Sequence, residues 1–399
     1  MTKLEQLIQE LCPDGVECTK LGNIVSFING RAYKQSELLD QGKYRVLRVG
    51  NFFTSNKWYY SDLELEDTRY CVAGDLLYAW AASLGPRIWD GEKTIFHYHI
   101  WKLDFDESII LKRYLYHFLL KDIDDINNSL THSTMPHVSM ANMKNRMIPL
   151  PPLEVQAEIV RILDKFTELT TELATELASR KKQYEYYRDK LLSYDDTIRL
   201  EELGVVAKVT KLAGFEFTKY VQYSDTGRVI ALRGLNVKDG KLILNDVKYI
   251  DNSDLSKLDR SKLRVGDMLF TYVGTVGQVA LIDENDKYYL APNVAMIRIE
   301  DERLLPKYLM YYFQSSIFKE KQINRLLQSS SMKNIPMEKI RKFIVPIPPI
   351  QTQERIMSVL DNFEAICSDL TIGLPAEIEA RQKQYEYYRD KLLTFTMKE

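Results

Sequence analysis

After Pro151-Pro152 the chain carries apolar residues at Val155, Ile159, Ile162, Leu163, Phe166, Leu169, Leu173 and Leu177, three or four positions apart with charges between them. That spacing predicts a helix with one apolar stripe. Proline suits the first helical turn, so the Pro-Pro pair marks the start. No helix breaker follows before Leu192, which gives about 40 residues and, at ~1.5 Å per residue, a rod of roughly 60 Å. A rod of that length needs a partner along it. A second stretch, from Pro349 to Thr396, carries Ile356, Val359, Leu360, Phe363 and Ile366 on an equivalent face, and is expected to bend or restart at Gly373-Leu374-Pro375. Two such helices would pair as an antiparallel coiled coil.

Elsewhere the apolar runs are short and bounded by turn residues. Residues 43–49, 75–80, 228–233, 267–273 and 294–299 read as strands, and 111–120 and 306–315 as helices. The expected fold class is therefore α+β: two similar globular α+β domains separated by the two long helices, with a pseudo-two-fold internal repeat. Expected boundaries are 1–148 (first globular domain, with a short N-terminal helix), 149–200 (central helical spacer), 201–345 (second globular domain) and 346–399 (C-terminal helical spacer).

The repeat is literal in places. Lys-Gln-Tyr-Glu-Tyr-Tyr-Arg-Asp-Lys-Leu-Leu occupies 182–192 and again, unchanged, 383–393. A packed core asks only that apolar positions recur, yet here exposed types such as Lys182, Glu185, Arg188 and Asp189 recur too, which suggests that one surface is bound twice. The segment Ile148-Pro-Leu-Pro-Pro-Leu-Glu-Val-Gln156 is echoed by Val345-Pro-Ile-Pro-Pro-Ile-Gln-Thr-Gln353, and Gly74-Asp-Leu-Leu-Tyr78 by Gly266-Asp-Met-Leu-Phe270. A period of about 200 residues is too long for a solenoid. Within the first helix, Thr-Glu-Leu-Thr, Thr-Glu-Leu-Ala and Thr-Glu-Leu-Ala follow one another over 167–178. Each adds ~6 Å of helix, either as a ruler of adjustable length or as ordinary heptad-like core with a Thr-Glu-Leu bias.

Composition narrows the class. The chain has 399 residues, 45% hydrophobic and 28% charged, as expected of a globular protein with real cores. No long uncharged apolar run and no signal-peptide pattern is present, so a cytoplasmic protein is expected. Cys12, Cys18, Cys71 and Cys367 have neither Cys-x-x-Cys spacing nor a nearby histidine pair and read as free thiols. A net charge of −2 is not that of a general polyanion binder, although residues 201–344 carry 23 Lys and Arg against 18 Asp and Glu.

Catalytic signatures are missing. There is no Walker A loop and no strand-to-helix Gly-x-Gly-x-x-Gly; Gly274-Thr-Val-Gly277 has the wrong spacing. Leu150-Pro-Pro-Leu153 lacks the leading Asn or Asp of amino methyltransferases. Asp239-Gly-Lys241 and Asp246-Val-Lys248 have nuclease-like local spacing but arise readily by chance in a charged chain. His97 and His99 have no obvious nucleophile beside them. Contact candidates are clearer. Gly30 and Gly214 are each followed three residues later by an aromatic, Tyr33 or Phe217, suited to a base or to burial. The polar loops 131–137 and 328–334 suit phosphate and base edges, or helix caps.

With the twin Pro-Pro-x-x-x-Gln segments, the twin Tyr-Glu-Tyr-Tyr-Arg-Asp-Lys-Leu-Leu helices and the Thr-Glu-Leu repeats, the chain resembles the specificity subunit of type I restriction–modification systems over nearly its whole length. The resemblance implies a DNA-binding subunit without catalysis of its own. Two target recognition domains would read an asymmetric, bipartite double-stranded DNA sequence at a helix-set spacing. Two modification (methyltransferase) subunits would dock on residues 182–192 and 383–393, through Tyr184, Tyr187, Arg188 and Leu191 and through Tyr385, Tyr388, Arg389 and Leu392; packing of coil on coil is the other role open to these residues. Two restriction (endonuclease/translocase) subunits complete the complex, and S-adenosylmethionine, ATP and Mg are bound by the partners, none by this chain. The recognition domains diverge within the family, so base-contacting candidates are chosen by residue type alone: Arg31, Tyr33, Lys34, Arg48, Asn51, Trp80, Ser133 and Thr134 in the first half, and Phe217, Lys219, Arg233, Asn236, Tyr272, Ser330, Ser331, Lys333 and Asn334 in the second. A bivalent protein-binding scaffold without DNA readout is the alternative, and no metal or membrane is expected.

Overall fold

The computed structural model describes residues 2–129, 137–212, 214–328, 334–368 and 373–398. It divides into two compact units, one of Met1–Ala174 with Glu377–Glu399 and one of Thr175–Ala376. The division falls inside the long helix, so each unit holds one α+β lobe together with two helical segments.

In the first unit, Val25–Asn29, Ile100–Phe105, Leu76–Ala79 and Gly85–Ile88 form, in that order, a four-stranded antiparallel sheet. A second sheet runs Tyr59–Ser61, Tyr44–Leu47, Thr94–Phe96, Tyr70–Cys71, with the two middle strands parallel. The strand Leu76–Ala79 is buried at all four positions, as its unbroken apolar run predicts for a strand covered on both faces. Gly74 enters it at φ +95°, a conformation that glycine adopts without strain, and Asp75 accepts a 2.9 Å hydrogen bond from the Val72 amide across the same turn.

The second unit repeats this plan. Ala207–Lys211, Val294–Ile299, Met268–Thr271 and Val279–Leu281 make the matching antiparallel sheet. Lys248–Tyr249, Ile230–Leu232 and Tyr288–Leu290 make the matching mixed one, again with a parallel central pair. Gly266 at φ +90° and Asp267, accepting from the Arg264 amide at 2.8 Å, reproduce the turn. The helices after the sheets are Lys112–Ser129 in one unit, longer than its sequence suggested, and Pro306–Gln314 in the other.

The predicted rod is one continuous helix, Leu153–Leu191. The C-terminal stretch forms two helices, Ile350–Ser368 and Leu374–Leu392. Each lobe is joined to its helix by a buried glutamine. Gln156 Oε1 accepts from the Leu111 amide at 2.9 Å, while its Nε2 donates to the Ile109 and Pro151 carbonyls. Gln353 does the same with the Leu305 amide and the Arg303 and Pro348 carbonyls. Both glutamines are fully buried, so the repeated Pro-Pro-x-x-x-Gln is a structural latch.

Helical packing is duplicated as well. In the first unit Phe166 stacks on Tyr388 with ring centroids 5.2 Å apart, and in the second Phe363 stacks on Tyr187 at 5.6 Å. Lys181 and Arg180 act on Cys367, one turn beyond Phe363, so within the second unit the paired segments run antiparallel. Leu169, Leu173 and Leu177 lie half-buried along the long helix. Thr167, Thr170 and Thr171 return their hydroxyls to carbonyls one turn back, which removes their unpaired polar groups without breaking the helix.

Candidate nucleic-acid interface

Each lobe presents an open concavity at the same place in its fold, just beyond the central parallel strand pair. In the first lobe it encloses about 380 Å³ and is lined by Arg48, Asn51, Ser55, Lys57, Tyr59, His97 and His99 among others. The loop that carries it is pinned by Asn51, whose Nδ2 donates to the Ser55 carbonyl at 3.1 Å and the Lys57 carbonyl at 2.7 Å. Arg48 is exposed, with its guanidinium 5.3 Å from the centre of the Tyr59 ring, and Lys57 sits 5.5 Å from the same ring. Burial, then the charges of His99 and Arg48, holds His97 at about 4, so at neutral pH its imidazole is an uncharged donor and acceptor.

In the second lobe the concavity encloses about 420 Å³ and is lined by Phe217, Tyr223, Arg233, Leu235, Thr271, Thr275 and Asn293 among others. Asn236 repeats the loop anchor, with Nδ2 on the Ile243 and Asp246 carbonyls at 2.8 and 2.7 Å and Oδ1 accepting from the Arg233 amide. Arg233, the counterpart of Arg48, donates to the Asp246 carbonyl and carboxylate, both at 2.9 Å. Phe217 packs edge-on against Tyr223, and Leu235 is 52% exposed.

The two concavities therefore gather Arg48 and Asn51, and Phe217 and Arg233, from the sequence candidates. The remaining candidates are spread more widely. Arg31 is held by Glu37 through two hydrogen bonds and leans on Tyr33, and this pairing lowers Glu37 to about 2. Tyr33 packs into the lobe, and burial raises its hydroxyl. Lys34 and Lys219 are exposed. Trp80 stacks on Trp101 at 5.7 Å and donates to the Tyr98 carbonyl. Tyr272 is half-buried, and its carbonyl accepts from the Ile335 amide, one residue past Asn334. Ser133, Thr134, Ser330, Ser331 and Lys333 lie outside the described residues.

Asn236 is fully buried and its amide is occupied by the loop it anchors, and the amide of half-buried Asn51 is occupied by its own loop in the same way. The matched glycines also differ. A Cβ on Gly30 would meet the Phe96 and His97 carbonyls at 2.4 Å, whereas one on Gly214 meets nothing within 4 Å. Only the first is required by close backbone approach. Sequence reading missed Lys57, Tyr59 and His99 as lining residues. Their signal was the matched strand Tyr44–Leu47, which places whatever follows it opposite the residues after Phe96.

On the duplicated helices, Tyr184, Arg188 and Leu191 are half-buried, and Leu191 and Tyr184 pack on the core of the second unit. Tyr385 and Arg389 are buried in the first unit, Leu392 packs beside them, and Tyr187 and Tyr388 are occupied in the aromatic stacks. The side facing solvent carries Tyr186 and Tyr387, both 61% exposed, among exposed Lys182, Glu185 and Lys190 and their repeats Lys383, Glu386 and Lys391. Among the described residues no cluster of His, Cys, Asp or Glu could hold a metal, and no helix is long and apolar enough to cross a membrane.

Two similar α+β lobes, each with its own pair of helical segments, define a tandem-repeat protein, and the type I restriction modification DNA specificity domain matches residues 13–180 and again 196–380. The chain belongs to this family, that of the specificity subunits of type I restriction enzymes. It is 32% identical over 294 residues to a putative type I restriction enzyme specificity subunit of Haemophilus influenzae, covering 71% of this chain and 72% of that one. It is 30% identical over 314 residues to a type I restriction enzyme specificity subunit of Escherichia coli, covering 73% and 72%. Its fold matches the specificity subunit of M. genitalium with a TM-score of 0.51 at 13% identity, covering 95% of this chain and 96% of that one. It also matches a chain from a study of complex assembly and conformational transition in the type I system, with a TM-score of 0.62 at 17% identity, covering 95% and 97%.

Proposed function

We propose that the chain is the non-catalytic, sequence-reading subunit of a type I restriction–modification complex. Each lobe reads one half of a bipartite, asymmetric DNA target, and the helical segments set the gap between the halves. One modification subunit docks on each copy of the duplicated helix surface, and two restriction subunits complete the assembly. S-adenosylmethionine, ATP and Mg belong to those partners.

One observation carries this reading: the halves keep the same exposed helix residues, from Lys182 to Lys190 and from Lys383 to Lys391, while equivalent concavities differ in lining. Identical outer surfaces suit two copies of one partner. Unlike concavities suit two different half-sites. Much of the phosphate contact, and with it the salt dependence, falls to the partners, which accommodates a net charge of −2.

The test is to co-express the chain with its modification partner in a host lacking that modification and to map methylated adenines. A single two-part motif with a fixed gap is expected. A complex that assembles but prefers no duplex sequence would favour the protein-binding scaffold instead.

A further inference from the structure

In a duplicated protein, what both halves keep serves a shared task, and what differs at one matched place serves the tasks that set them apart. The lobes keep the asparagine anchors Asn51 and Asn236 and a concavity of similar size. What changes is the state of the arginine at the rim. Arg233 is locked onto Asp246 through two hydrogen bonds. Arg48 is exposed and leans on the Tyr59 ring, and its guanidinium has no hydrogen-bond or carboxylate partner among the described residues.

We propose, resting on the DNA-reading function above, that Arg48 is the guanine-reading residue of the first lobe and that the second lobe has no equivalent reader. A guanidinium held over an aromatic face is steadied by the ring without spending its N–H donors, so its fork remains open. A fork of two donors needs two adjacent acceptors. In the major groove only guanine offers them, as O6 and N7; adenine sets a donor beside its acceptor, and thymine a methyl group. Lys57, on the same ring, supplies a point charge for backbone phosphate, so the fork is not needed there. In the second lobe the fork is closed by Asp246 and the rim is apolar at Leu235 and Tyr223, the lining expected to meet a thymine methyl.

The experiment maps methylated motifs made by the assembled complex with the wild-type chain, Arg48→Ala, Arg48→Lys and Arg233→Ala. Arg48→Ala is expected to relax one guanine position in one half-site, lowering that preference roughly 5- to 150-fold, the range of a single bidentate pair. The other half-site and the gap stay unchanged. Arg48→Lys restores overall methylation and not the guanine preference, because it returns the charge without the fork. A uniform fall in methylation with the motif intact, rescued by lysine, would assign Arg48 to phosphate and overturn the proposal. Relaxation at a position that is not guanine, relaxation of a guanine position by Arg233→Ala, or an unchanged motif would overturn it too. A wild-type complex that assembles and yields no motif would sink the DNA-reading function itself, a result distinct from failure of Arg48 alone.

Discussion

The Nδ1 atom of His117 lies 2.9 Å from the Tyr385 hydroxyl, joining a helix of the first lobe to the C-terminal helix. The other ring nitrogen is 2.7 Å from Asp164, which also accepts hydrogen bonds from Nε and Nη2 of Arg113. Tyr385→Phe strands a buried imidazole nitrogen and should lower stability by about 1–3 kcal/mol. Urea unfolding checks this, with Tyr387→Phe, on the exposed side, as the variant expected to change nothing.

Gln156 and Gln353 predict matched damage. Replacing either with alanine leaves one buried carbonyl and a part-buried amide and carbonyl without this partner, a loss of about 1–3 kcal/mol. Limited proteolysis should release the first lobe in Gln156→Ala and the second in Gln353→Ala. Equal resistance in both would show that the latch contributes nothing.

The proposed docking of modification subunits would separate the two sides of the duplicated helix. Tyr186→Ala and Tyr387→Ala should each halve the number of modification subunits bound, and together abolish binding, with the thermal midpoint unchanged because both residues are exposed. Mass measurement of the complex reads the stoichiometry. Tyr184→Ala and Tyr385→Ala should instead lower the midpoint, since those rings pack in the cores.

His97 predicts acid sensitivity of the first lobe. Its folded value of about 4 lies below the ordinary 6.5, so as the pH drops below 6.5 the unfolded chain gains a proton that the folded lobe refuses. The contribution is complete above pH 6.5 and is lost as the pH falls towards about 4. His99 and His117 are lowered in the same direction, also by burial first. His97→Asn should therefore flatten the slope of the urea midpoint against pH in that window without abolishing it.

Deleting one Thr-Glu-Leu repeat shortens the long helix by ~6 Å. The gap between half-sites should contract by one or two base pairs while each half-site is unchanged, since a base pair rises ~3.4 Å. Motif mapping reads the gap directly. An unaltered gap would make these repeats ordinary packing.

The helices were legible because their signal is local: apolar spacing and the Pro-Pro start placed the rod within a residue or two of Leu153–Leu191. Strand positions were legible for the same reason. Their order was not, because the parallel pairing of Val46 with Ile95 depends on contacts far apart in sequence. The face of the duplicated helix was also hidden. Residues 184, 187, 188 and 191 share a side by helical spacing, but identity between copies does not say which side faces the core, and the structure buries Tyr385 and Arg389. The arginine pair was named from residue type, while the locking of Arg233 depends on Asp246, 13 positions away across a loop.

Every atom that Gln156 and Gln353 grip belongs to main chain. The fastening thus places no demand on the side chains of the module it secures. A lobe can change its surface residues and keep this hold if its backbone offers one amide and one carbonyl in that geometry, while the first lobe also keeps the side-chain contacts of Arg113 and His117 with Asp164.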